Sequence, residues 1–270
     1  MLIESGVHLP VSLAMLDSVF KSPSGDELAH ILIRWLHFVA GITWIGMLYF
    51  FNLVNVPLQK KLDADTKKKV NPDLLLPALW YFRWGALVTV LAGFTYFAMY
   101  ILKTDVTNAN TLGGGHLNIW LILVEWLSYP IVLFIIEFLI IKKIPALIKD
   151  GRVFAIVMLI LVTVVTFGIM KFYQSMMTFG GTNYASNRTI SIGVGGAYGL
   201  VMLLNVWGII WPNNKRALNA MRGGPPVAPE MAPVLARQAF VASRTNAWLS
   251  LPMLVFMAAS SHDWLIFSGK

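Results

Sequence analysis

The chain has no cysteine, and only 13 of its 270 residues are acidic. Without thiols there are no disulfides, no thiolate metal sites, no cysteine nucleophile and no covalently attached c-type haem. With charged residues at 13%, the polar surface expected of a soluble domain is missing as well. What is present is apolar: 57% hydrophobic residues, ten tryptophans and sixteen phenylalanines, with a mean hydropathy of +0.68. These values describe an integral membrane protein with an all-α fold, a polytopic transmembrane helical bundle. Glu4 and the lack of a basic start argue against reading residues 1–10 as a cleaved signal peptide.

Six spans are expected, at residues 29–53, 79–102, 116–141, 153–177, 191–211 and 246–262. The first five can cross a hydrocarbon core of about 30 Å at about 1.5 Å per residue; the last is the weakest, being short and interrupted by Pro252, which a membrane helix can tolerate. Residues 1–28 then form an outer N-terminal segment, in which the apolar stretch 7–20 is too short to span and is expected to lie at the interface. Residues 29–264 form the bundle, and 265–270 a short outer tail. No internal repeat is evident.

The net charge of +8 is distributed by loop, the pattern of membrane orientation and not of a nucleic-acid face. Fourteen lysines and arginines fall in the first, third and fifth connections, among them Lys60, Lys61, Lys67, Lys68, Lys69, Lys142, Lys143, Arg216 and Arg222. The N-terminal segment, the second and fourth connections and the C-terminus hold only Lys21, Lys103, Arg188 and Lys270. The positive-inside rule therefore places both termini outside, on the periplasmic side of a bacterial inner membrane.

With that orientation the histidines gather at the outer side: His30 and His37 in the first span, His116 opening the third, His262 ending the sixth, and His8 in the N-terminal segment. An ionisable side chain inside a span usually faces a partner, a cofactor or water. At about 100° per residue, His30, Arg34, His37, Gly41 and Trp44 share one helix face, and Gly41 leaves room for a haem edge or a neighbouring helix. Neutral imidazoles from two helices can clamp a b-type haem without any cysteine. His37 with His116 or His262 is the expected ligand pair, and His30 a further candidate. The plain alternative is interhelical hydrogen bonding.

Arg34 offers a bidentate fork to an anion. Glu125 and Lys171 are expected either to pair or to tune charge at the site, and Arg83 and Glu137, near inner ends, to snorkel to the interface. Gly195 and Gly199 form a GxxxG that favours close helix packing. Eight tryptophans (Trp44, Trp80, Trp84, Trp120, Trp126, Trp207, Trp211 and Trp264) read as mostly interfacial anchors. The outer loop 180–187 (GGTNYASN) is polar and amide-rich. The inner loop 223–233 is a stiff linker leading to a surface helix through Arg244.

Four separated stretches, RWLHFVAGITWIGMLYFFN, NVWGIIWPNNK, AMRGGPPVAPE and ASRTNAWLSLPMLVFMAASSH, together resemble the membrane domain of the PuuD-type urate oxidases (urate hydroxylases). The resemblance covers roughly residues 28–262. It implies oxidation of urate towards 5-hydroxyisourate, with electrons passed to a c-type haem and the respiratory chain. The family's helical domain is followed by a cytochrome c domain; the present sequence contains no CxxCH and ends at Lys270.

The expectation is therefore a membrane redox protein holding haem b and passing electrons to a separate c-type cytochrome or other membrane-complex subunits. The rival is a non-catalytic accessory or anchoring subunit of a redox complex. Transport is weaker, because the spans show few breaks and no repeat pair.

Overall fold

The computed structural model describes residues 23–261 and 266–267. It is 86% helical, so the all-α expectation holds. Helix α1 covers Gly25–Lys61, α2 Ala64–Leu112, α3 Ile119–Lys143, α5 Gly151–Met176 and α6 Asn187–Met221. Between α3 and α5 lies the single turn α4, Pro145–Lys149, and α7 covers Met231–Ser261. A two-stranded hairpin pairs β1, Thr178–Phe179, with β2, Thr182–Asn183. Its turn residues Gly180 and Gly181 sit at φ 56° and 81°, the left-handed region that a tight hairpin turn requires.

Among the described residues five helices, α1, α2, α3, α5 and α6, are long and apolar enough to cross a membrane. The residues expected as a sixth span fall in the C-terminal half of α7, a single 31-residue helix with Pro252 inside that is not one of these five. The surface helix and the span expected separately are thus one piece. Two other helices run well past their expected bounds. The segment before residue 79 continues α2, with Pro72 and Pro77 in its early turns, and α6 extends through Asn213 to Met221.

Local chemistry sets the starts. Ser24 caps α1 in a reciprocal box: its hydroxyl accepts from the Glu27 amide at 3.3 Å, and the Glu27 carboxylate accepts from the Ser24 amide at 2.8 Å. Asp63 caps α2, and Ser186 caps α6. Three long helices contain a wider π-helical turn, Phe50–Asn55 in α1, Phe97–Leu102 in α2 and Val206–Ile210 in α6. Such turns alter the facing of the residues that follow and concentrate at functional places.

α6 is the central helix, buried along most of its length. The GxxxG works as expected: a Cβ on Gly195 would lie 3.1 Å from Phe256 Cβ and 3.3 Å from the Met253 carbonyl oxygen of α7. Two tryptophans depart from the anchor role. Trp44 is 1% exposed and Trp126 4%, and the Trp126 indole donates to the Gly193 carbonyl at 2.9 Å. They fill the core because small residues face them: Gly85 lies against the Trp44 backbone, and Gly196 against the Trp126 ring. His8, the stretch 7–20, His262 and Trp264 lie outside the described residues.

Candidate functional site

α1 and α2 pack antiparallel, and the face of α1 that carries His30, Arg34, His37, Gly41 and Trp44 is the face turned to α2. His37 donates from Nδ1 to the Thr89 carbonyl oxygen at 2.8 Å. Its ring fills the space above Gly93, where an added Cβ would lie 2.7 Å from Cε1. Gly41 admits Thr89, whose Cγ2 would be 3.6 Å from a Cβ there. Of the two occupants expected beside Gly41, the neighbouring helix is the one present.

One turn outward along the same face, Arg34 lines a cavity of about 90 Å³ with Tyr96 and Ile101 of α2, Arg188 and Ile192 of α6, and Ser260 of α7. Four helices converge here. Arg188 follows the cap of α6, so its guanidinium adds to the partial positive charge of a helix start. It is held there by its Nε, which donates to the Ser260 carbonyl oxygen at 3.2 Å. Among the described residues neither Arg34 nor Arg188 has a carboxylate within ion-pair distance; the one ion pair among them joins Arg222 to Asp73 at the opposite end of the bundle. Two guanidinium groups without a carboxylate partner among the described residues thus line one small cavity, and each offers the planar fork that can bind an anion bidentately.

The cavity also has an acid–base group. The Tyr96 hydroxyl is 2.5 Å from His30 Nε2. The His30 ring is stacked on those of Tyr96 and Tyr100, with centroids 4.9 and 4.4 Å apart. Tyr96 immediately precedes the π-helical turn Phe97–Leu102, which contributes Ile101 to the wall.

For a b-type haem the donor set fits at one residue. A carbonyl oxygen can only accept, so His37 Nδ1 carries its hydrogen and Nε2 keeps its lone pair, the arrangement of a metal-ligating imidazole held by its other nitrogen. His30 uses its Nε2 on Tyr96. His116 is exposed on the loop before α3, and His262 lies outside the described residues. The cavity itself, at about 90 Å³, is too small for a porphyrin.

The other sequence candidates fall elsewhere. Glu125 and Lys171 are both exposed, on α3 and α5, and form no ion pair among the described residues. Glu137 does not snorkel: it is 0% exposed and receives a hydrogen bond from Asn205 at 3.0 Å, because a glutamate is too short to reach water from the packed face of α3. Arg83 does not reach out freely either. Its guanidinium lies among the rings of Trp84, Trp207 and Trp211, at 5.4, 5.1 and 4.0 Å. Sequence reasoning missed Tyr96, Arg188 and Ser260. Arg188 was legible only as an outer charge, though its place two residues after a Ser cap could have marked it as a helix-start cation.

A family model described as urate oxidase N-terminal matches the chain over residues 25–75 and 64–270. No curated protein and no solved structure matches it.

Proposed function

The chain belongs to the urate oxidase N-terminal family, and from that premise we propose that it is a membrane-bound urate oxidase whose substrate anion docks between Arg34 and Arg188. The observation that carries this reading is the cavity lined by two guanidinium groups that have no carboxylate partner among the described residues. Urate at neutral pH is a planar monoanion whose edge alternates carbonyl oxygens and ring nitrogens, the pattern that guanidinium forks bind in pairs.

In the proposed topology the bundle crosses a bacterial inner membrane six times, α7 supplying the sixth span, with both termini outside. The distribution of lysine and arginine supports this orientation. The cavity then opens towards the outer side, as does His30.

Oxidation of urate to 5-hydroxyisourate adds the oxygen of one water and releases two electrons and two protons. Arg34 and Arg188 hold the anion and stabilise negative charge on its oxygens as a proton leaves. The Tyr96 hydroxyl, lining the cavity, passes a proton to His30 Nε2, from which it leaves on the outer side. Ile101 and Ile192 keep the pocket wall apolar and limit water at the ring. His37, whose Nδ1 is fixed on the Thr89 carbonyl oxygen, is the residue that would hold a b-type haem, with His116 and His262 the further candidates, and such a group would supply one-electron transfer. The final acceptor in this reading is a c-type cytochrome.

The test is urate-dependent reduction of a soluble c-type cytochrome by proteoliposomes containing the purified protein, together with urate binding by calorimetry. Binding and reduction in the wild type, both lost in Arg34→Gln with Arg188→Gln, support the reading. A folded wild-type protein that binds no urate defeats it and leaves the accessory subunit as the better account.

A further inference from the structure

Away from the outer cavity, a second polar cluster is sealed in the inner half of the bundle, where α3, α6 and α7 meet. Glu137, Asn205 and Asn246 are each 0% exposed, and the Thr245 hydroxyl lies beside the Glu137 carboxyl.

The amide orientations in this cluster are fixed by a chain of bonds. The Met202 carbonyl oxygen can only accept, so the group facing it at 2.9 Å is Asn246 Nδ2. Asn246 then presents its Oδ1 to Asn205, whose Nδ2 donates to it at 3.0 Å. Asn205 Nδ2 spends its other hydrogen on Glu137 Oε2, also at 3.0 Å. The Thr245 hydroxyl gives its hydrogen to the Val241 carbonyl oxygen at 3.2 Å. Two oxygens accept no hydrogen bond among the described residues, Glu137 Oε1 and Asn205 Oδ1. They belong to the two side chains already joined by the Nδ2–Oε2 bond.

A buried, unpaired carboxylate costs several kcal/mol. No cation among the described residues offsets it. Lys142, five residues along α3, directs its ammonium to Gln238 at 2.8 Å and Asn213 at 3.3 Å. Arg83 lies in its tryptophan cage, Arg237 donates to the Ile148 and Lys149 carbonyls, and Arg244 lies 5.3 Å from the Phe240 ring. A single hydrogen on Oε1 turns one orphaned acceptor into a donor, and the acceptor it then needs is the other orphan.

We propose that Glu137 is a proton-binding site inside the bundle, its Oε1 carrying a hydrogen donated to Asn205 Oδ1 and exchanged with the inner face by way of the Lys142–Asn213–Gln238 cluster. This is a site distinct from the outer cavity. The acid and the amide form a closed pair of reciprocal hydrogen bonds, with every hydrogen of Asn205 Nδ2 used. The Lys142 cluster marks the inner end of the route: Asn213 bonds Gln238 at 3.1 Å, and Gln238 reaches the Ile141 carbonyl at 3.4 Å, one helical turn from Glu137. The remaining gap, from Lys142 to Glu137, is about 7.5 Å along α3 at about 1.5 Å per residue.

Infrared difference spectroscopy between wild type and Glu137→Gln tests this without reference to urate turnover. The wild type should show a carboxylic-acid C=O band that the variant lacks. That band should shift on transfer to D2O, and Asn205→Leu should move it to the frequency of an acid lacking its amide acceptor. Lys142→Met with Gln238→Leu should slow the D2O shift several-fold while leaving the band itself in place. A difference spectrum containing only carboxylate bands overturns the proposal, as does a sodium-dependent change at those bands, which assigns the site to a metal cation. An acid band that never responds to D2O in folded protein overturns the exchange with the inner face.

Discussion

His37 Nδ1 and the Thr89 carbonyl oxygen, 2.8 Å apart, join two antiparallel helices through a bond that also decides which nitrogen of the imidazole is free. The ring is held in place by Gly93, which has no Cβ to collide with it. One contact therefore sets both the spacing of α1 and α2 and the direction of the His37 lone pair.

Gly93→Ala should be poorly tolerated. Its Cβ would stand 2.7 Å from Cε1 and 2.8 Å from Nδ1 of His37, so the ring must turn and the Thr89 bond must break. Overpacking of this kind costs about 1–3 kcal/mol. Thermal unfolding in detergent should show a lowered midpoint, and a pyridine haemochrome assay should show loss of any b-type haem held through His37.

Arg34→Gln and Arg188→Gln should each weaken urate binding. Hydrogen bonds to charged groups are worth about 1.5–3 kcal/mol, which is roughly 10- to 150-fold in Kd. The Lys variants should recover only part of the loss, because an ammonium cannot reproduce the fork. Calorimetric titration with urate measures both; unchanged affinity in either Gln variant would remove that arginine from the site.

Tyr96→Phe keeps the ring in the wall and removes the hydroxyl bonded to His30. Cytochrome reduction should fall by about 10²-fold or more, the usual range for a lost acid–base group, with little change in urate affinity. A loss of affinity without a loss of turnover would make Tyr96 a binding residue instead.

At the start of α2, the Thr66 hydroxyl and amide hold the Asp63 carboxyl below its ordinary value. A carboxyl depressed in the folded state contributes stability above its unfolded value and loses it as pH falls through the folded one. Amide exchange in the first turn of α2 should accelerate under acid conditions. Asp63→Ala should exchange fast throughout and lose that pH dependence.

The membrane class and the apolar segments of the helices were legible in the sequence because hydropathy acts over some twenty residues and survives local detail. The pairing face of α1 was legible too, since His37 and Gly41 recur at helical spacing. What the sequence hid depends on three-dimensional convergence. Arg188 and Tyr96 lie more than ninety residues apart and meet only because α2 and α6 pack together. Glu137 read as an interfacial acid because its distance from the loop suggested an escape to water; its polar partner Asn205 sits sixty-eight residues on, inside an otherwise apolar helix. Trp44 and Trp126 read as anchors because composition cannot show the glycines that face them. The three π-helical turns had no sequence signal at all.

α7 has a mechanical consequence. It runs unbroken from Met231 to Ser261, about 46 Å at about 1.5 Å per residue. Its inner part carries Gln238, its middle Asn246, and its far end the carbonyl that anchors Arg188. A rod of this kind cannot shift at one end alone, except by bending at Pro252, where the ladder of backbone bonds is interrupted. Leverage applied at the Met231 end would thus be felt at the guanidinium of Arg188, and the stiffness of one helix links events at the two ends of the bundle.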